Sequence, residues 1–301
     1  MRPLWRDRNT VQLGVDSRRA VAISGPTAAA DVIRLLDGSR TRDQVMAQAS
    51  RQGVPEAVTE RVIRLLAGAG AIIDFPADEL RSMPRELRTR LAPVLATASL
   101  CTQDADGGAR LLARRSAAVV QVCGRGLIAE LITDLLTRSG VAAGGTDTGQ
   151  LRGSRAVDLS ILVGYRQPEQ LAELHRHRRT HLIVCVSEAI GVVGPFVQPG
   201  RTACLRCLDL ARADRDAAWP LVLAQLPASR MDATADDPVL ATAVAAQAAA
   251  QALAFADRAG PDMVTANGTL ELALPDWQWR RRTWPPHQAC TCGSYESAAS
   301  S

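Results

Sequence analysis

Two cysteine doublets far apart in the chain, Cys204-Leu-Arg-Cys207 and Cys290-Thr-Cys292, constrain this sequence more than anything else in it. Zinc takes four soft ligands in a tetrahedron, and thiolates one or two residues apart can reach it from a single turn. Pro199-Gly200 precedes the first doublet, Pro285-Pro286 precedes the second, and Gly293 follows it, so each sits where the backbone can curl. The pattern predicts one structural zinc held by Cys204, Cys207, Cys290 and Cys292, with everything between them closed into a loop by metal. Two redox or unconnected cysteine pairs are the alternative, because Cys-x-x-Cys alone also fits a thioredoxin-like dithiol. Against that, the first doublet does not read as the start of a helix after an early strand, and a second doublet has no part in such chemistry. His287 lies three residues before Cys290 and could replace a thiolate; it reads as a turn residue or a support outside the ligand shell. The remaining cysteines are isolated, and Cys123 and Cys185 stand in apolar runs that predict core positions.

A chain of 301 residues is long enough for two domains and a sizeable core. Hydrophobic residues at 47% and charged residues at 22% are ordinary for a globular protein. No run reads as a membrane span or a signal peptide, which predicts a cytoplasmic protein with reduced thiols. The formal charge of +4 is small and spread out, a weak argument for nucleic acid. All 35 basic side chains are arginine. Any mechanism that needs a lysine amine is therefore excluded.

Residues 1–80 predict a compact first domain. Thr10–Val15 and Ala20–Ile23 read as a hairpin. Helices follow from Thr27 to Gly38, from a Thr41 cap to Gly53, and from Pro55 to Gly68, and Ala71–Phe75 reads as a closing strand. Two strands, three helices and a final strand describe a small winged-helix-like domain. Its third helix exposes Glu56, Glu60, Arg61 and Arg64, a mixed surface that suits DNA phosphates poorly. Capture of a peptide on an exposed strand edge fits better. Residues 81–116 read as a partly helical connector.

The stretch 117–301 predicts an α/β domain with a mostly parallel sheet. Ala117–Cys123, then Gly124-Arg-Gly126-Leu-Ile-Ala129, then a helix to Gly140 give the strand, glycine-rich turn and helix of a Rossmann-type unit. Gly124, Gly126 and Ala129 are thus candidate nucleotide-binding positions. Asp147 is the candidate ribose partner, although Ala142–Asp147 is glycine-rich and poorly apolar. Strands are expected at Asp158–Gly164 and His181–Val186, with a helix from Pro168 to His177 between them. Ser187–Pro199 reads as a crossing loop plus a strand, with Glu188 as a salt-bridge or capping residue. A long alanine-rich helix, Pro238–Ala256, precedes strands at Gly268–Leu274 and Trp277–Arg282. Trp277, Trp279 and Arg280–Arg282 could form a nucleic-acid strip, but a half-buried edge strand anchoring the metal loop explains them as well.

The run Gly191–Leu210 with the terminal Arg281–Cys292 resembles the ThiF-like branch of the E1 superfamily. Within it the chain is similar to actinobacterial leader-peptide-binding or cyclodehydratase-associated proteins of azole-forming ribosomal peptide pathways. That resemblance spans nearly the whole chain, and it implies a homodimer, a precursor or leader peptide as partner and a cyclodehydratase working alongside. Active members activate a C-terminal carboxylate with ATP and Mg²⁺, using an asparagine-arginine segment, a lysine and two aspartates besides the glycine turn. Here only Gly124, Gly126 and Ala129 match. Adenylation needs positive groups aimed at the triphosphate, and arginine is no free substitute for lysine. The reading is therefore a catalytically degenerate E1-like scaffold that binds a peptide. The alternatives are an ATP-dependent adenylyltransferase acting on a peptide or carrier-protein terminus, and a winged-helix DNA-binding regulator.

Overall fold

The computed structural model describes residues 3–18, 20–24, 28–37, 39–73, 83–102, 106–145, 156–164, 168–225, 237–258 and 263–293. The chain divides into two compact units, Met1–Leu112 and Ala113–Ser301.

In the first unit, β1 (Pro3–Trp5), β2 (Thr10–Leu13) and β3 (Val21–Ser24) form an antiparallel sheet in the order β1-β2-β3. Alternation sends Val11, Leu13 and Ile23 inward. There they join Val32 and Ile33 of α1 (Ala28–Leu35), Val45 and Ala49 of α2 (Arg42–Arg51), and Val62 and Leu66 of α3 (Glu56–Gly68) in one core. Thr41 and Gln44 close a reciprocal capping box at the start of α2, the stop-and-start signal that made this helix legible. The expected hairpin is present as β2 and β3, in register Val11 opposite Ile23. The expected closing strand is not: residues 71–73 are irregular, and 74–75 lie outside the described residues. The third strand is instead β1, ahead of the hairpin, where three residues were too few to show a period. Beyond it, α4 (Arg85–Arg90) and α5 (Ala92–Thr102) bring Leu91 and Leu95 against Ala109 and Leu112 of α6 (Ala109–Ala117).

The second unit is built on a seven-stranded sheet. Its strands are β4 (Val119–Cys123), β5 (Ala142–Gly145), β6 (Leu159–Val163), β7 (His181–Ser187), β8 (Ile190–Val197), β9 (Gly268–Ala273) and β10 (Gln278–Thr283). Their order is β10-β9-β8-β7-β6-β4-β5. The four strands from β5 to β7 are parallel, and β8, β9 and β10 add on antiparallel, so the sheet is mixed. The run read as a crossing loop is a tight hairpin. Glu188 and Ala189 take left-handed backbone angles of 53° and 60° between β7 and β8, and Glu188 is exposed there.

One face of the sheet carries α7 (Leu127–Arg138) and α11 (Pro238–Asp257) over Leu182, Val184, Val193, Phe196 and Leu272. The alanines of α11 let it lie very close to β8. A Cβ at Gly191 would stand 2.2 Å from Val244 Cγ2, so only glycine fits. By length and composition alone α11 could cross a membrane, which corrects the expectation that no run is long enough; here half of its most apolar window is buried in the fold. At its far end Asp257 receives two 2.7 Å hydrogen bonds from Arg115 of α6, both side chains largely buried. The opposite face of the sheet, bearing Ile183, Cys185 and Val192, is covered near the metal candidates by α9 (Leu205–Ala213), followed by α10 (Trp219–Gln225). Between β6 and β7 runs α8 (Pro168–Arg176).

His181 begins β7 fully buried, its Nδ1 donating to the Arg179 carbonyl at 2.9 Å and its buried Nε2 without a partner among the described residues. Burial, with the neighbouring His175 a smaller influence, pushes its pKa down to about 4 from the ordinary 6.5. Between those two values the unfolded chain binds the extra proton and the folded chain does not. Stability contributed by the neutral ring is therefore complete above pH 6.5 and falls as pH drops towards 4, by roughly 3 kcal/mol in all. Urea unfolding across this range should show the decline, and His181→Phe should flatten it; equal slopes in both proteins would contradict the assignment.

Candidate metal centre and the glycine-rich turn

β8 ends in a turn that aims the first doublet. Thr202 fixes it, its Oγ1 accepting from Gln198 N at 2.8 Å and donating to the Phe196 carbonyl at 2.9 Å. Cys204 then caps α9, and Cys207 sits on its first turn, its N–H donating to the Cys204 carbonyl at 2.9 Å. The first doublet thus does open a helix, and what argues against a plain dithiol is where the second doublet lies. The tail returns through β10 to Trp284, whose N–H donates to the Asn267 carbonyl at 2.8 Å, and Cys290 N donates to the His287 carbonyl at 2.9 Å.

Asn267 is the residue that sequence reading missed. Its side-chain oxygen accepts from Ala203 N at 2.7 Å while its carbonyl holds Trp284, so one left-handed asparagine (φ 51°) ties both doublets to the start of β9. The Asn-Gly pair at 267–268 was the available signal, since asparagine and glycine are the residues that tolerate this conformation.

The four sulfurs lie within 4.8 Å of one another. Cys204 to Cys207 is 3.9 Å, Cys204 to Cys290 is 3.7 Å and Cys207 to Cys292 is 3.6 Å. A tetrahedron with metal–sulfur bonds of about 2.3 Å has edges of about 3.8 Å, so the donor set fits a tetrahedral, thiophilic ion. Cys204, Cys207 and Cys290 are buried and pack with Trp284, Val197 and Leu208. The electrostatics point the same way. Hydrogen bonding from Cys204 holds the Cys207 thiol down at about 4 and raises Cys204 in return, while burial pushes Cys290 up to about 12. A divalent cation bound among these sulfurs would favour the thiolate form of its ligands.

His287 stands outside the cluster. Its Nδ1 accepts from Ala289 N at 3.2 Å, which leaves the proton on Nε2 for the Asp214 carboxylate at 2.7 Å. It clamps the second doublet's loop to the end of α9. Cys123 and Cys185 are core residues as expected, and Cys101 is exposed. Burial raises the Cys123 thiol to about 11, which makes it inert.

The glycine-rich turn has the expected strand, turn and helix around it. Gly124 has φ 146°, and a Cβ there would meet the Val163 carbonyl at 2.7 Å and its Cβ at 2.8 Å, so glycine is required by the approach of β4 to β6. Gly126 caps α7 with φ 85°, and Ala129 is buried on the first turn of that helix. Each of the three has a role in the fold itself. Asp147 lies outside the described residues.

Nearby, Gly164, Ile183, Cys185, Val192, Leu205 and Arg212 are among the residues lining a cavity of about 60 Å³ between the sheet and α9. Its walls are mainly apolar, with the Arg212 guanidinium as the one charged group among the described lining residues.

No protein-family model and no curated protein sequence matches this chain. Solved structures do. The heterocyclase TruD matches with a TM-score of 0.65 at 18% identity, covering 98% of this chain and 42% of that one. The microcin C7 biosynthetic enzyme MccB in complex with N-formylated MccA matches with a TM-score of 0.56 at 13% identity, covering 97% of both chains. E. coli MccB with ATP gives 0.57 at 13% identity, again covering 97% of both. The chain therefore shares its fold with these proteins along nearly its whole length, and it spans less than half of TruD.

Proposed function

We propose that this protein is an E1-like scaffold of ribosomal peptide modification, which captures a precursor's leader segment and does not adenylate it. The observation that carries the reading is the likeness of fold, over 97% of both chains, to MccB in complex with the peptide MccA. The match to under half of the heterocyclase TruD supports a second element, in which the heterocycle-forming activity resides in a separate cyclodehydratase partner. The winged-helix-like first unit is the peptide clamp. Backbone pairing favours β3 as the docking edge. Arg6 N bonds Thr10 O, so the even residues of β2 face β1, and Ala22 and Ser24 of β3 turn their backbone groups outward. The β1 edge is guarded by Pro3, which has no N–H to offer.

In the second unit zinc joins the tail to the middle of the chain through Cys204, Cys207, Cys290 and Cys292, and the unit forms the homodimer expected of E1-like proteins. The absence of lysine from the sequence, and glycines at 124 and 126 that the backbone itself demands, support a nucleotide-silent site. ATP and Mg²⁺ chemistry is the second reading, favoured by the likeness to MccB with ATP.

The test is titration with fluorescent N-terminal segments of the small peptides encoded beside the gene, run alongside a pyrophosphate-release assay. Capture without pyrophosphate, weakened about tenfold or more by Ala22→Pro, is the expected result. Pyrophosphate release dependent on peptide would establish the adenylyltransferase instead, and salt-dependent duplex binding through residues 40–70 would establish a DNA-binding regulator.

A further inference from the structure

We infer that the outer edge of β10 is a second peptide-docking site, which takes an extended acidic segment as an eighth strand of the sheet. This site lies in the second unit and does not depend on capture at β3.

All six residues of β10 are exposed, rather than half-buried as the sequence suggested, and β10 is the terminal strand of the sheet. Trp284 N bonds Asn267 O, so in the register with β9 the even residues of β10 face inward. Trp279, Arg281 and Thr283 therefore turn their N–H and C=O groups outward, a ladder with no strand against it among the described residues. Edges closed to every partner carry proline or a bulge, whereas charge excludes only partners of the same sign. This one is continuous, and it displays Trp277 at 43% and Trp279 at 38% exposure, surface that gains from being covered.

Charge selects the occupant. Arg280, Arg281 and Arg282 are consecutive, and Arg212 and Arg215 lie close by, stacked with Arg282 around the Trp284 ring at 5.2 to 5.7 Å. A second copy pairing through its own β10 would set three arginines against three, which opposes self-association. Arg281 also spends part of its guanidinium on the Val264 and Ala266 carbonyls, and Arg280 pairs with Asp276. The unpaired backbone ladder is then the larger offering, and a polypeptide can use it where a nucleic acid cannot. An acidic strand would satisfy both the ladder and the guanidinium donors left over.

The probe is a labelled eight-residue peptide alternating glutamate and valine, titrated into the full chain by anisotropy, with amide exchange read by NMR. Binding that weakens with salt, and at least tenfold slower exchange at Trp279, Arg281 and Thr283, is expected. Trp279→Pro removes an outward donor and no ladder bond, and should reduce affinity about tenfold with the thermal midpoint unchanged. If that variant misfolds, Arg280→Glu supplies the same test, with the glutamate peptide weakened and a lysine-valine peptide strengthened. Protection confined to Ala22 and Ser24, tighter binding of a single-stranded oligonucleotide, indifference to both substitutions, or a dimer that Trp279→Pro dissociates would each overturn the proposal.

Discussion

Cys207→Ser should leave the protein without the proposed zinc and lower the thermal midpoint of the second unit by roughly 10–20 °C. Serine keeps the shape of the side chain but is a poor zinc ligand, and the three remaining thiols no longer close a tetrahedron. In small domains a structural zinc contributes on the order of 10 kcal/mol to folding. Here the sheet has its own apolar core on the far face, with Leu182, Val184, Phe196 and Val244 fully buried, so the loss should be partial. A deficit of about 5 kcal/mol in a domain of this size corresponds to the stated shift. Differential scanning calorimetry with parallel metal analysis would read both quantities. Loss of metal with an unmoved midpoint would show that the ion is a passenger; an unmoved midpoint with full metal would show that residue 207 is no ligand.

Trp284→Ala should destabilise the unit by about 3–5 kcal/mol while sparing the thiols. The indole is 1% exposed, packs among Val197, Leu208 and the cysteines, and donates from Nε1 to Thr269 Oγ1 at 3.0 Å. Removing it opens a cavity beside the metal candidates and takes away the donor to the buried Thr269 hydroxyl, which keeps its own bond to Glu271 Oε1 at 2.9 Å. It also takes away the ring whose centroid lies 5.2 to 5.7 Å from the guanidinium carbons of Arg212, Arg215 and Arg282, while Arg212 keeps Asp209 at 3.8 Å and Arg282 keeps Glu271 at 3.9 Å. The mutual repulsion of the three guanidiniums adds to the cavity term and is screened by salt. Denaturant titrations at low and high salt separate the two contributions: the variant should recover a small part of its stability in high salt. A loss under about 1 kcal/mol would mean that the loop collapses around the gap and that Trp284 does not organise it.

What could be read from the chain depended on how local each signal was. The doublets carry their convergence in their spacing and flanking turns, and the capping box at Thr41 and Gln44 announces α2 by itself. The β7–β8 hairpin was misread because Glu188-Ala189 offers neither glycine nor asparagine at left-handed positions that usually call for them. β5 escaped notice because Ala142–Gly145 has almost no side chains with which to show a period; it is a strand because β4 pairs beside it. Gly124 was visible as part of a motif, but its physical reason is Val163 on another strand, close in space and remote in sequence. Asn267 is the clearest case. Its local Asn-Gly signal said only turn, and its work of joining 203 to 284 exists only in three dimensions.

Native mass spectrometry of protein purified without added metal tests the central claim most directly, that four cysteines from two distant places hold one zinc ion. The account predicts a single species carrying one zinc per chain, with no disulfide and all four thiol protons displaced. A folded protein free of metal, or one whose doublets are each oxidised within themselves, would contradict it.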